Sequence, residues 1–295
     1  MGIPIDGKSH AKALREETTA RLATARSASN DPAPTLAVVL VDPDDASEVY
    51  LRQKMSAARA IGIEVRVDRL AATIEPATFS AHLRSLSQDP GIDGVLLEMP
   101  LPHNLSREEA LLAIGPDKDV DGLHPTNLGA LLRGSPTILP ATAAAVIQLL
   151  EREKVPLRGA HAVVIGRSAV VGVPTALLLL QRDATVEVCH SKTGDLAASL
   201  ADADLIVAAA GVPNLVRGSM VCEGAVVIDV GMNRVGESLV GDVAYAEVLA
   251  KASKVTPVPG GVGPMTVACL LATVVELSLR RRSTGGDDPW HQPRS

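Results

Sequence analysis

The sequence predicts an α/β protein of two domains, each a parallel sheet covered by helices. Three observations carry that prediction. Short apolar runs rich in Val, Leu and Ile alternate with helical patterns in both halves of the chain. The runs end in Gly, Asp, His or Ser, the polar residues found where parallel sheets bind ligands. The run His161-Ala-Val-Val-Ile165 breaks at Gly166 and restarts after Gly172 and Pro174 as a long apolar helix, and such a glycine-punctuated strand-to-helix turn gives a phosphate room to approach the backbone. Its spacing, Gly166-x-Ser168-x-x-x-Gly172-x-Pro174, departs from the common dinucleotide fingerprint G-x-G-x-x-G.

The elements follow in order. Residues 9–26 read as a helix, the Pro- and Asp-rich stretch 30–34 breaks it, and Thr35-Leu-Ala-Val-Val-Leu-Val41 reads as a buried strand. A helix over 47–62, a strand over 63–69, a helix over 76–87 and a strand over 94–98, closed by Pro100-Leu101-Pro102, complete the first α/β half. The boundary is placed at 136–140. A helix over 141–152 leads into strand 162–165, a helix from near Pro174 to Arg182, and strands over 185–189, 205–209 and 225–229. The last helix, 266–280, is expected to pack back on the first domain, and 283–295 reads as a disordered tail. The domains are thus 1–138, completed by 267–282, and 139–266.

Composition narrows the class. A chain of 295 residues, 46% apolar and 21% charged, is that of a soluble globular protein. Its net charge of -6 argues against a nucleic-acid partner. The basic run Arg280-Arg281-Arg282 ends a helical segment, where cations oppose the negative end of the dipole. Cys189, Cys222 and Cys269 are far apart, with no metal-ligand spacing, and read as reduced core residues. The N-terminus lacks an apolar stretch of signal-peptide length, and Leu177–Leu180 is too short to cross a bilayer, so a cytoplasmic location without a membrane contact is expected. With Phe79, Tyr50, Tyr245 and Trp290 the only aromatic residues, the core must be built from Ala, Val, Leu and Ile.

Several residues can carry chemistry. Tyr50 and Lys54 stand four apart, on one helix face toward the sheet's carboxyl edge. They read either as a surface pair or as a ring for a flat ligand beside a proton-handling amine. Glu98 follows apolar Leu96 and Leu97, so its carboxylate needs a cationic partner, and Lys54 is the candidate. Asp119 and Asp121, in Pro116-Asp-Lys-Asp-Val-Asp-Gly122, either solvate or cap the loop or face the same crevice. The second nucleotide-binding strand ends in Cys189-His-Ser-Lys-Thr193 with no acid for a ribose 2′-hydroxyl; Ser191, Lys192 and Arg167 suit a 2′-phosphate, which favours NADP. The proline- and glycine-rich stretch before the last helix, containing Pro259, Gly260 and Gly261, reads either as a hinge or as backbone a ligand can approach closely.

Taken together, the blocks ASEVYLRQK, DGVLLEMPLP, PDKDVDG, VIGRSAVVGVP, CHSKT, VIDVGMNR and TPVPGGVGPMT resemble the bifunctional methylenetetrahydrofolate dehydrogenase/cyclohydrolase family, over about residues 5–277. The resemblance implies a homodimer of two-domain subunits with a folate cleft between the domains. It implies NADP-dependent oxidation of 5,10-methylenetetrahydrofolate and hydrolysis of the methenyl product to 10-formyltetrahydrofolate, in one-carbon metabolism and purine biosynthesis. By that pattern Tyr50 stacks on the folate, Lys54 assists hydrolysis and Asp121 binds the pterin. Gly166, Arg167, Ser168, Ser191 and Met232 contact NADP, and Pro259, Gly260 and Gly261 border the folate; no metal is implied. Three departures stand out. Glu98 replaces the family's usual Gln, and an anion there should favour a charged Lys54, a poor base, so that hydrolysis is weakened. Ala141 and Ala143 replace the usual Cys and Pro, which is expected to loosen that segment. The loop Asp42-Pro43-Asp44-Asp45 lacks the glycine-first pattern.

Overall fold

A computed structural model describes residues 2–28, 31–43, 45–236 and 238–283, with the side chains of residues 45–47, 50 and 283 outside the description. The tail expected at 283–295 falls, from 284 on, outside the described residues. In chain order the first elements are β1 (Ile3–Pro4), α1 (Gly7–Ala28), β2 (Thr35–Val41), α2 (Asp45–Ile61), β3 (Glu64–Leu70), α3 (Pro76–Gln88), β4 (Gly94–Leu97), α4 (Arg107–Ala113) and α5 (Pro125–Leu132). There follow α6 (Ala141–Arg152), β5 (His161–Ile165), α7 (Gly172–Leu180), β6 (Thr185–Cys189), α8 (Leu196–Leu200), β7 (Leu205–Ala208), β8 (Val226–Asp229), β9 (Asn233–Val235), β10 (Ser238–Val240), α9 (Tyr245–Leu249), β11 (Lys254–Val255) and α10 (Val262–Ser283). The chain divides into two compact units, one of Leu14–Thr126 with the chain from Leu270, the other of Met1–Ala13 with Asn127–Cys269.

The unit containing Leu14–Thr126 is built on a three-stranded parallel sheet, β3-β2-β4. Central β2 is buried on both faces, which is why it reads as an unbroken apolar run. Ala37, Val39 and Val41 of one face pack with Val95 and Leu97 of β4 against Phe79, Leu83 and Leu86 of α3. The spacing of those three α3 residues makes one helical stripe, and Pro76 starts the helix where its missing N–H costs nothing. Glu98 extends β4's pairing, its N–H donating to Val39 O at 3.0 Å. Asp42 takes a φ of +48° after β2, the left-handed position that a leading glycine would adopt without strain and that aspartate tolerates.

The end of α10 does return to this unit. Arg281 Nη2 lies 2.6 Å from the buried carboxylate of Asp93, whose other oxygen accepts the Thr35 N–H at 2.8 Å. Arg281 thus supplies a buried anion with a partner, beyond the dipole role expected of the basic run. By length and composition α10 is long and apolar enough to cross a membrane, the one such helix among the described residues, yet 50% of that stretch is buried inside the protein. It begins at Val262 rather than 266, because Gly263 and Pro264 lie in its first turn, where neither breaks the hydrogen-bond ladder.

The unit containing Asn127–Cys269 holds a six-stranded parallel sheet in the order β1-β11-β8-β7-β5-β6. From β5 the chain steps out to β6 and then returns to the other side at β7, so the strand order reverses between β5 and β7, where such sheets bind ligands. Alternate residues of β5, β7 and β8 (Val163, Ile165, Ile206, Ala208, Val227) form one core face with Val216, Val243 and Val248. Ala141 and Ala143 are buried at 2% and 0% exposure in a regular α6, so here small residues serve close packing and the segment is not loosened. Asp6 caps α1, accepting the N–H groups of Lys8 and Ser9 at 3.0 and 3.2 Å. At the far edge β1 pairs with β11, Ile3 against Lys254 and Pro4 against Val255.

Candidate active site

In the first unit the carboxyl ends of β2 and β4 bring a lysine and a glutamate together. α2 follows β2 and carries Lys54, and Glu98 follows β4. The ammonium of Lys54 donates to both oxygens of Glu98, at 2.6 and 2.8 Å. Both side chains are largely buried, 26% and 19% exposed, which makes the pair more than a surface contact. Tyr50 lies one helical turn before Lys54, and its side chain is outside those described.

The acidic loop divides its labour. Asp119 is buried at 2% exposure and accepts the N–H groups of Gly122 at 3.1 Å and His124 at 2.7 Å, so it folds the turn. That is the capping alternative. Asp121 remains available for chemistry: burial, then the charges of Asp119 and Glu98, push its carboxyl up from 3.8 to about 6 against the opposing pull of Lys54 and Arg107. Between about pH 4 and about pH 6 the native protein therefore holds a proton here that the unfolded chain has released. This group's contribution to stability grows as pH falls through about 6 and is complete near pH 4. Asp121→Asn, with no charge to bury, is accordingly expected to gain stability over the parent at pH 7 and to lose that advantage by pH 4 in urea unfolding. A gap between the two proteins that does not change with pH would overturn the assignment.

In the second unit the turn after β5 is built for close approach. Gly166 has a φ of +120°, and a Cβ there would lie 2.2 Å from the carbonyl oxygen of Ala209, which follows β7. A Cβ at Gly172 would lie 2.1 Å from Gly166 O. This packing lets α7 start two residues before Pro174. The expected open N–H groups at that helix start are partly used internally, because Ser168 Oγ accepts those of Val171 at 3.2 Å and Gly172 at 3.4 Å. Arg167 and Ser168 are exposed on this turn.

After β6, Thr193 Oγ1 accepts the His190 N–H at 2.9 Å and His190 Nδ1 accepts that of Lys192 at 3.1 Å, closing a tight turn with Ser191 and Lys192 exposed on it. A cation and hydroxyls at the end of β6, with no carboxylate, fit a phosphorylated ribose. Met232, after β8, is 62% exposed. Pro259 is exposed, Gly260 has a φ of +109°, and Gly261 is buried where a Cβ at Gly7 would lie 1.8 Å from its carbonyl oxygen. This loop thus packs closely against the start of α1.

Sequence reasoning missed Asp242, which is fully buried and accepts three successive backbone N–H groups. Its only local hint is the preceding Gly241. Also missed is Glu153, which takes hydrogen bonds from His10 Nε2 at 2.7 Å and Lys254 Nζ at 2.5 Å; these outweigh burial and hold its carboxyl below the ordinary range. Cys189, Cys222 and Cys269 are in no disulfide, and burial pushes Cys269 up to about 12, which leaves it unreactive.

Known proteins share this organisation. The chain is 49% identical over 279 residues to the bifunctional protein FolD of Acidiphilium cryptum, covering 94% of this chain and 98% of that protein. It is 47% identical to FolD 2 of Geobacter sulfurreducens, covering 94% and 96%. Among solved structures, the bifunctional FolD methylenetetrahydrofolate dehydrogenase/cyclohydrolase of Campylobacter jejuni superposes with a TM-score of 0.92 at 41% identity, over 95% of this chain and all of that one. The Trypanosoma brucei enzyme, complexed with NADP cofactor and inhibitor, gives 0.90 at 36% identity, over 96% and 98%. Residues 5–121 match the catalytic-domain model, and residues 140–282 the NAD(P)-binding-domain model, of one family. On these matches, and on the two sheets whose carboxyl ends carry the groups just described, the chain belongs to the tetrahydrofolate dehydrogenase/cyclohydrolase family.

Proposed function

We propose that this protein oxidises 5,10-methylenetetrahydrofolate with NADP and hydrolyses the resulting methenyl compound to 10-formyltetrahydrofolate. The observation that carries the reading is the Lys54–Glu98 pair beside Asp121 in a chain of this family. NADP, when bound, would supply the acceptor for a hydride from the methylene carbon. Arg167, Ser191 and Lys192 would hold its 2′-phosphate by charge and hydrogen bonding, Gly166 gives the backbone clearance, and Ser168 and Met232 complete the contact. The Asp121 carboxylate would accept N–H groups of the pterin, the Tyr50 ring would stack on the folate, and Pro259, Gly260 and Gly261 would border it. In hydrolysis the water oxygen bonds to the methenyl carbon, the bond to one ring nitrogen breaks, and one proton is released. Lys54 is the group suited to move it.

Glu98 favours a second reading, a dehydrogenase with weak hydrolysis. An ammonium bonded to both oxygens of a carboxylate must first release a proton and give up the ion pair before its nitrogen can accept a proton from the attacking water. The same carboxylate offsets the repulsion between Lys54 and the cationic carbon left by hydride loss, which assists the oxidation. Purified protein should therefore show robust NADP-dependent oxidation and slower loss of methenyl absorbance. Glu98→Gln is expected to raise hydrolysis by about tenfold, the order that one charge-assisted hydrogen bond is worth. Hydrolysis that is already fast and indifferent to Glu98→Gln would leave the bifunctional reading standing and remove the second.

As part of the same proposal the protein works as a homodimer in the reducing cytoplasm, supplying formyl donors for purine biosynthesis. Cysteines held in no disulfide and the exposed Val188 on edge strand β6 support this.

A further inference from the structure

Two buried carboxylates stand beside the point where the strand order of the six-stranded sheet reverses. Asp229 ends β8 and is 2% exposed, and Asp242 follows β10 and is 0% exposed. Asp242 Oδ2 accepts the N–H groups of Ala210 and Gly211 at 2.6 and 2.8 Å, and its Oδ1 accepts Val212 N–H at 3.0 Å and Asn233 Nδ2 at 2.8 Å. Asp229 Oδ1 accepts Gly231 N–H at 3.0 Å and Asp242 N–H at 2.9 Å, and its Oδ2 accepts Val243 N–H at 3.0 Å. The Asp229 carboxylate thereby holds the backbone N–H of Asp242 itself.

Each carboxylate also presses on a glycine beside the other. A Cβ at Gly231 would lie 2.1 Å from Asp242 Oδ1, and one at Gly241 would lie 1.8 Å from Asp229 Oδ2. Burying two carboxylates with N–H donors in place of a lysine or arginine is costly for stability alone. Burial pushes the Asp229 carboxyl up to about 6, the Asp242 charge adds to the rise, and the N–H donors of Asp242 and Val243 oppose it. What the arrangement fixes is the backbone of the 210–212 loop after β7 and both neighbours of Met232, Gly231 by its N–H to Asp229 and Asn233 by its side-chain amide to Asp242.

We propose that Asp242, braced by Asp229, is a positioning residue for the cofactor: it sets the 210–212 loop and the exposed Met232 at the ligand edge of the sheet. The inference rests on the NADP-dependent reading above. Its mark is selectivity, because hydrolysis of the methenyl compound uses no dinucleotide.

The test compares Asp242→Asn and Asn233→Ala with the parent protein in three measurements: the NADP Kd by calorimetry, kcat and KM for NADP in the oxidation, and hydrolysis of methenyltetrahydrofolate. An amide at 242 turns a donor toward two N–H donors, so the NADP Kd and KM are expected to rise about tenfold or more with hydrolysis within about twofold of the parent. Asn233→Ala, which leaves the carboxylate and its backbone donors in place, is expected to raise both by about threefold. Equal loss of both activities in folded Asp242→Asn, or an unchanged NADP Kd, overturns the proposal. If Asp242→Asn does not fold, Asn233→Ala decides by the same criterion. A parent protein that binds NADP without oxidising the folate would sink the functional reading, while the calorimetric comparison would still decide the role of Asp242.

Discussion

Replacing Lys54 by glutamine is expected to slow methenyl hydrolysis by about 10²–10⁴-fold, the usual contribution of a positioned proton-transfer group. Glutamine is the informative substitution because Lys54 donates to both oxygens of Glu98. An amide can still donate to that carboxylate, whereas an apolar residue would leave a largely buried anion unpaired and confound chemistry with folding. The amide cannot carry a proton, so the loss should appear in kcat and leave NADP binding unchanged. Decay of methenyl absorbance in single-turnover mixing measures it. Hydrolysis within about tenfold of the parent would remove Lys54 from the proton path and point to solvent or Asp121 instead.

The second large effect is structural in origin and functional in outcome. Gly166→Ala places a methyl group 2.2 Å from the carbonyl oxygen of Ala209 and requires an L-residue to hold a φ of +120°. Neither neighbour can yield cheaply. Gly166 N–H donates to Cys189 O at 2.8 Å, and Ala209 N–H donates to Ile165 O at 2.7 Å, so both sides of the clash belong to the sheet ladder. Backbone strain and overpacking together should cost on the order of 3 kcal/mol or more. The expected result is a clearly lowered midpoint in thermal unfolding and NADP affinity reduced beyond detection in the same assay. Gly194→Ala is the control, since nothing lies within 4 Å of the place a Cβ would take there. A Gly166→Ala protein that binds NADP normally would mean that the β5–β7 crevice is not where the dinucleotide sits.

Those two sites were legible in the sequence for different reasons. Gly166 announces itself because it interrupts a Val-Val-Ile run at the start of a helix, and Lys54 and Glu98 because a carboxylate after two leucines requires a cation. The strands with long apolar runs were equally plain, β2 above all. What escaped is short or distant. Helix α4 has a capping serine, Ser106, whose oxygen accepts the Glu109 N–H at 3.3 Å, but its seven residues are too few for a periodic pattern to stand out. The β9–β10 hairpin is two three-residue strands. Asp242 could not be found because its partners lie some thirty residues earlier on another strand's loop, and its significance comes from burial that no local pattern records. The early start of α7 and α10 follows from glycine and proline behaving as helix starters, where a purely apolar pattern begins later.

The pairing of β1 with β11 has a consequence for how the molecule is made. Ile3 and Pro4 are synthesised about 250 residues before Lys254 and Val255, to which they pair. The six-stranded sheet therefore cannot acquire either β11 or β1 until synthesis has passed Val255, and until then β8 presents an open edge able to recruit another nascent chain. A side chain at residue 2 would obstruct this late pairing, because a Cβ on Gly2 would lie 2.3 Å from Ala252 O.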